Sequence, residues 1–304
     1  MSDYNTIREE LQKVHQNADL PSCFDYKYNK NNYILTITVK KQGLRENMQK
    51  DASAFDSWAI ALKYYLKNIV HGIIIDWEDD INEGEKGYYH YNRFLYRLTK
   101  FVQNYDWVRL AKDIPSLPSS MLCNAPEREA EDITKHTEDT EGHLECSYVD
   151  SNKKDYDCMN HQLPVGIFYS RVSRNTHFTP GKKSAIDIWA IKDDELSIFE
   201  LKIPGNKPLG IISELMFYTN VMDDIFFNKK ICYDEPSASK AKEHNYRGFK
   251  AFYDAYKTHK IKKIKAVFLA DSLHSLLTTE LIDFINQSPS FLQKKIKFEW
   301  KMVS

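Results

Sequence analysis

Long apolar runs are missing from this 304-residue chain, and the longest stretches, such as Ile73-Ile74-Ile75 and Ala266-Val267-Phe268-Leu269-Ala270, are strand-sized. A membrane span needs about 18 or more apolar residues, so none is expected. Glycine and proline are scarce at ten each, too few for a collagen-like or low-complexity chain. Cysteine is scarce as well: Cys23, Cys123, Cys146, Cys158 and Cys232 are odd in number, widely spaced and without a C-x-x-C pair. That spacing excludes a disulfide framework and a zinc finger, and it predicts reduced thiols. The opening Met1-Ser2-Asp3-Tyr4 offers no basic and apolar leader, so a cytoplasmic location is expected. Phosphate-cradling G-x-x-x-x-G-K-[ST] and G-x-G-x-x-G loops, an H-x-x-x-H pair and G-x-S-x-G are all absent.

Net charge of one sign is also lacking, since 42 Lys+Arg nearly balance 43 Asp+Glu. The balance hides a polarity: residues 160–304 carry 22 basic against 16 acidic residues, or +6, and residues 1–159 carry 20 against 27, or −7. The C-terminal half can therefore face a polyanion, although charge runs are more often solvated faces.

What is present reads as α/β throughout. Residues 4–15 predict a helix, 33–39 a β-branched strand, 52–68 a helix, 72–77 a strand and 88–105 an aromatic-rich helix. In that last helix Tyr88, Tyr89, Tyr91, Phe94, Tyr96, Phe101 and Tyr105 interleave with Arg93, Arg97 and Lys100. Such a stripe can stack on nucleic acid, but helical spacing more often marks core, with Arg and Lys covering the outer face. The proline-rich stretch 114–120 precedes a strongly acidic segment, residues 126–157, with eleven Asp/Glu against four Lys/Arg. This predicts an N-terminal α/β accessory domain over 1–125 and a second domain over 126–304.

The second domain reads as a helix at 141–150, strands at 163–169, 184–191 and 196–203, a helix at 209–224, a helix at 246–259, a strand at 264–270, a helix at 278–287 and a strand at 296–302. Asp193-Asp194-Glu195 joins the second and third strands tightly, so a hairpin sets Asp187 beside Glu200. Alternation puts Glu200 and Lys202 on one face and Leu201 on the other. Phosphodiester hydrolysis needs a divalent metal held by hard oxygen ligands, and two carboxylates on neighbouring strands supply them. Asp187, Glu200 and the Leu201 carbonyl would bind metal, with the Lys202 ammonium orienting water or meeting developing negative charge. An ordinary strand ion pair is the alternative, at the expense of burying three ionisable groups.

With Asp187, the Glu200-Leu201-Lys202 triplet and this helix, three strands, helix, strand order, the chain over about 141–270 resembles the PD-(D/E)xK nuclease superfamily. The D/E-x-K triplet occurs three times, at Asp25-Tyr26-Lys27, Glu200-Leu201-Lys202 and Glu299-Trp300-Lys301, but only the middle one follows an Asp-bearing strand and precedes a helix. Ile186 stands where a proline often precedes the first Asp. Glu214-x-x-x-Tyr218 resembles the Q-x-x-x-Y motif of the RecB-type branch, with Glu for Gln, and the four-residue spacing puts both on one helical face. Glu141-Gly142-His143-Leu144-Glu145 is similar to the family's preceding-helix acid, with Glu141 as the ligand candidate and Glu145 one turn later as its rival. Arg171, Arg174, His177, Lys182 and Lys183 form a basic stretch that either contacts phosphates or is a solvated loop.

The resemblance implies a restriction-endonuclease-like αβββαβ core with a mixed central sheet flanked by helices. It implies a Mg2+-dependent deoxyribonuclease, with Mn2+ able to substitute, acting on DNA rather than RNA and leaving a 5′-phosphate, in restriction, repair or antiphage defence. It admits a homodimer and needs no membrane. Two other readings stand beside it: a catalytically inactive nuclease-fold protein that binds nucleic acid or protein, and a structural protein whose aromatic helix is the interaction surface.

Overall fold

The computed structural model describes residues 2–138, 140–181 and 184–303. The chain is α/β, with mixed sheets flanked by helices, and it divides into two compact units. The first comprises Met1–Ser116, Lys207–Glu214 and Leu273–Ser290, and the second Leu117–Asn206, Leu215–Ser272 and Phe291–Ser304. Among the described residues no helix is long and apolar enough to cross a membrane. All five cysteines are free thiols.

In the first unit α1 (Asp3–Val14), β1 (Phe24–Asn29), β2 (Ile34–Val39), the short α2 (Lys41–Leu44), α3 (Phe55–Tyr65), β3 (Gly72–Trp77), α4 (Tyr88–Asn104) and β4 (Val108–Leu110) follow one another. Their sheet has the order β1-β2-β3-β4, antiparallel at its first pair and parallel after it. Leu35, Ile37 and Val39 alternate inward along β2, as β-branched and aliphatic residues on a half-buried strand should. The aromatic stripe of α4 is core: Tyr91, Phe94, Tyr96 and Phe101 are buried. The expected outer layer of Arg and Lys is not found, because Arg93, Arg97 and Lys100 are buried too. Arg97 is drawn in by Asp56 of α3, its Nη2 donating at 2.6 Å, while its guanidinium lies 4.8 Å from the Phe55 ring centroid.

The expected split at 125/126 differs from the observed one in two respects. Met121–Cys123 forms β5, which pairs with strands of the second unit, so that unit begins earlier, at 117. The chain also returns twice to the first unit. Residues 207–214 are tied there by Ser213, whose amide donates to Ser57 Oγ at 2.9 Å, and by Gly210, where a Cβ would sit 2.2 Å from the Gln49 carbonyl oxygen. Residues 273–290 bring Phe284 against Tyr64 and Trp107, at centroid separations of 5.6 and 6.1 Å.

The second unit continues with α5 (Glu141–Asn152), β6 (Cys158–Pro164), β7 (Ile167–Phe168), β8 (Ala185–Lys192), β9 (Glu195–Lys202), α6 (Ile211–Phe226, whose first turn belongs to the first unit), β10 (Ile231–Tyr233), α7 (Glu235–Glu243), α8 (Phe249–Lys257) and β11 (Lys263–Ala270). After α9 (Thr279–Asn286) in the first unit, α10 (Pro289–Lys294) leads to β12 (Ile296–Lys301). Its main sheet has the order β12-β11-β9-β8-β6, with parallel pairs at β12/β11 and β11/β9 and antiparallel pairs at β9/β8 and β8/β6. A smaller sheet has the order β10-β5-β7. The strand expected over 163–169 is two strands. The peptide turns at Pro164, which lacks an amide donor, so β6 ends there and Ile167–Phe168 joins the small sheet instead.

One face of the main sheet packs Ile188, Ala190, Phe199, Leu201, Val267 and Leu269 against Tyr148 and Val149 of α5. Each fully buried side chain of this size contributes about 1.5–3 kcal/mol. On the other face Trp189 meets Phe252 of α8, at 5.2 Å between ring centroids, and Phe252 meets Phe226 at the end of α6.

Candidate active site

Strands β8 and β9 form a hairpin through the two-residue connection Asp193-Asp194, with Asp193 at φ 53°, a left-handed value that Asp tolerates better than most residues. The register pairs Lys192 with Glu195 and Ile188 with Phe199. The ladder ends at that second pair, and Asp187 and Glu200 are the next residues on the two strands. Because Phe199 and Leu201 point into the core under α5, the alternate residues Glu200 and Lys202 lie on the other face.

The structure brings four of the expected residues together. Asp187 Oδ2 accepts from the Leu201 amide at 2.9 Å. The Lys202 ammonium donates to Glu200 Oε1, and both side chains are almost wholly buried, at 3% and 2% exposure. Glu141, in the first turn of α5, has its Oε1 3.8 Å from the same ammonium and is half exposed. A helix start favours such a carboxylate electrostatically, and Thr140 caps it by accepting from the His143 amide.

Burial separates the two rival carboxylates of α5. Glu145 is buried, and both its oxygens accept from Gln162 Nε2, at 2.8 and 2.9 Å; its Oε2 also lies 3.4 Å from His161 Nδ1. Glu141 is thus the one that reaches Lys202, and Glu145 is engaged with β6. Glu214 belongs to the first unit, where its carboxylate accepts from Gln49 Nε2. Tyr218, one turn further along α6, is buried in the second unit with its ring 5.7 Å from that of Phe217. Arg171 and Arg174 are exposed in the loop between β7 and β8, and the His177 ring packs 4.8 Å from Phe168. Lys182 and Lys183 lie outside the described residues.

Gln162 and Arg247 were not legible as site residues. Gln162 lies between His161, opposite Ile188, and Leu163, opposite Ile186, at the one position of β6 between those pairs. Its φ of 57° is strained for a residue of its size. Its carbonyl accepts from Arg247 Nη1 at 2.7 Å, and Arg247 is itself left-handed at φ 51°. Nothing in the sequence flags either residue, because the left-handed positions are not occupied by Gly, Asn or Asp, the residues that usually announce them.

The donor set is made of oxygen: the carboxylates of Asp187 and Glu200 on adjacent strands, the main-chain carbonyl of Leu201 between Glu200 and Lys202, and the Glu141 carboxylate at the ammonium. This suits a hard divalent cation that keeps several waters and takes one or two carboxylates. Among the described residues no group of three or more His, Cys, Asp or Glu is close enough to hold a metal by protein side chains alone. No protein-family model, curated protein or solved structure matches the chain.

Proposed function

We propose that the chain is a metal-dependent nuclease that hydrolyses phosphodiester bonds, in DNA before RNA, on a restriction-endonuclease-like core made of α5, β6, β8, β9, α6 and β11. The observation that carries this reading is the burial of the Lys202 ammonium between the Glu200 and Glu141 carboxylates, next to Asp187. A buried ion pair contributes little net stability against apolar residues of the same volume, so the arrangement is better explained by chemistry than by folding.

Asp187, Glu200, the Leu201 carbonyl and Glu141 would hold Mg2+ or Mn2+. When bound, the ion supplies a Lewis acid that polarises the phosphate and acidifies water. Lys202 fixes the attacking water in line with the scissile bond and meets the charge that develops on phosphate oxygen. Its carboxylate neighbours limit its rotamers, so little reorganisation accompanies reaction. Glu141, half exposed and 3.8 Å from the ammonium, would serve as the outer ligand of the cation.

The test is cleavage of plasmid, linear duplex and single-stranded DNA in Mg2+ and in Mn2+ by the wild type and Lys202→Ala, both shown to be folded. Metal-dependent cutting by the wild type that the variant loses is the expected result. A nucleic-acid-binding protein without catalysis is the second reading: a folded wild type that binds DNA but cuts nothing in either ion would replace the first reading with this one.

A further inference from the structure

Beside Glu141 the second unit opens into a cleft of about 560 Å³, and a second of about 380 Å³ adjoins it. Arg128, Gln162 and Arg247 line both, so the two make one groove. The groove touches the candidate site at Glu141, which reaches Lys202, and it is tied to the same helix by Gln162, which holds Glu145. In the larger cleft the lining holds no aliphatic residue and no Phe, Tyr or Trp. Small-molecule sites are mostly apolar, and single-strand tracks use aromatic platforms for bases. This lining matches neither pattern: it is charged, with Glu131, Glu141 and Glu145 beside Arg128, Lys135 and Arg247, and the two arginines are the groups shared along both clefts that an anionic backbone would meet.

The cations are placed at structural expense. Arg247 sits at a left-handed φ beside Asn245, also at 51°, and Gly248, at 70°. Its Nη1 and Nε donate to the carbonyls of Gln162 and Arg128, at 2.7 and 3.4 Å, which fixes the guanidinium plane and leaves N–H groups for the groove. Among the described residues no carboxylate pairs with Arg247. Burial and the neighbouring Arg128 charge push its pKa down, against a partial offset from Glu131, Glu145 and Glu129. Arg128 is exposed, and its ion pair to Glu131, at 3.5 Å, is a surface contact. Two guanidiniums converging on a polar groove, one of them unpaired, form a phosphate site by the chemistry of their fork-shaped donors.

We propose that this groove is the track of a nucleic-acid duplex, in which Arg247 and Arg128 grip a backbone phosphate neighbouring the scissile one. The proposal rests on the reading of Asp187, Glu200 and Lys202 as a phosphodiester-hydrolysing site, and it adds the form of the substrate and two residues that position it.

The experiment is fluorescence anisotropy of a labelled 20-base-pair DNA duplex, and of its single strand, across a salt series in EDTA, with the metal-dependent cleavage assay run in parallel. The wild type should bind duplex more tightly than single strand. Arg247→Ala should weaken duplex binding about tenfold and reduce the slope of log K against log salt by about 0.9, one phosphate contact. Arg128→Ala, at an exposed position, should weaken it about threefold with the fold intact. Arg247→Lys should keep the slope and lose part of the affinity, and this variant with Arg128→Ala carries the test if Arg247→Ala does not fold. Unchanged affinity and slope in the Arg variants, absence of wild-type binding, or tighter binding of the single strand would each overturn the proposal. Arginine-dependent duplex binding without metal-dependent cleavage would leave the groove standing and remove the nuclease reading.

Discussion

Replacing Lys202 by Met is the most informative perturbation of this chain. Methionine approximates the length of the lysine stem and fills the same space, so the change isolates the charge. In the wild type the ammonium and the Glu200 carboxylate are each almost fully buried and in direct contact. Removing one partner strands the other charge in a poorly solvated place, which costs about 3–5 kcal/mol. With a melting shift of about 2–4 °C per kcal/mol for a domain of 150–250 residues, Lys202→Met should melt roughly 6–20 °C lower. Thermal and urea unfolding followed by circular dichroism, in EDTA so that no metal contributes, give the number. The double variant Lys202→Met/Glu200→Gln leaves neither charge buried and should recover at least half of the loss, although it should not recover cleavage. That pairing divides the structural part of Lys202 from its chemical part, since stability returns and activity does not. A loss below about 1 kcal/mol, or a double variant less stable than the single one, would mean that the pair is solvated in solution, and the argument from burial would fail.

The two carboxylates of α5 should behave oppositely: Glu145→Gln, which disturbs a buried carboxylate held by Gln162 and His161, should lower unfolding stability by about 1–3 kcal/mol, whereas half-exposed Glu141→Gln should change it by less than about 0.5 kcal/mol and reduce metal-dependent cleavage at least tenfold. In the first unit Arg97→Met strands the buried Asp56 carboxylate and should cost about 3–5 kcal/mol by urea denaturation, with Asp56→Asn in the same chain restoring part of it. Burial pushes the thiols of Cys158 and Cys123 up to about 11 and about 12, and the Tyr256 phenol up to about 12. Because these folded-state values lie above the unfolded ones, near 8.5 for thiol and 10 for phenol, their stabilising effect is complete below about pH 8.5 and is lost as pH rises toward 12; urea midpoints measured from pH 8 to 11 should fall steadily, and a flat profile would contradict the burial of these groups.

The local patterns were legible where one face is buried and the period is clean. Strands β2, β8, β9 and β11 and helices α3, α4 and α5 lie within a few residues of where alternation and helical spacing put them. The five-stranded mixed sheet and the hairpin that sets Asp187 beside Glu200 follow from those elements and the short Asp193-Asp194 turn. Three-residue strands gave no such signal. Met121–Cys123 and Ile231–Tyr233 are too short to show a period, and their parallel pairing joins segments more than a hundred residues apart. The burial of Arg93, Arg97 and Lys100 was hidden because composition reports a side chain's charge and not its partner; the Asp56 that pulls Arg97 inward sits on another helix. The discontinuous division of the chain was hidden for a related reason, since the apolar faces of residues 207–214 and 273–290 say that they are buried without saying in which core. At the candidate site the carboxylates and lysine were visible as types, and the choice between Glu141 and Glu145 was not, because it depends on which of them meets Gln162.

Helix α5 sets how the candidate site and the groove are registered to one another. Its Tyr148 and Val149 are anchored in the core against Phe199 and Leu201 of β9, with Leu144 packed beside them, so the helix moves with the strand that carries Glu200 and Lys202. Glu141 and Glu145 are four residues apart, about 6 Å along the helix and on one face of it. The first meets Lys202 and the second holds Gln162, whose carbonyl in turn holds Arg247. A shift of α5 along β9 would therefore displace the carboxylate at the lysine and the guanidinium in the groove together. Rigid coupling of this kind is what in-line attack requires, because reacting atoms must be held near 3–3.5 Å and small misplacements are expensive. The strained φ at Gln162 is then intelligible as the geometry that lets one side chain grip Glu145 while its carbonyl turns to Arg247. Core packing under α5 thus acts on the candidate site without touching it: cavity-forming changes at Val149 or Leu144 should loosen the groove and the lysine together, and by the same helix.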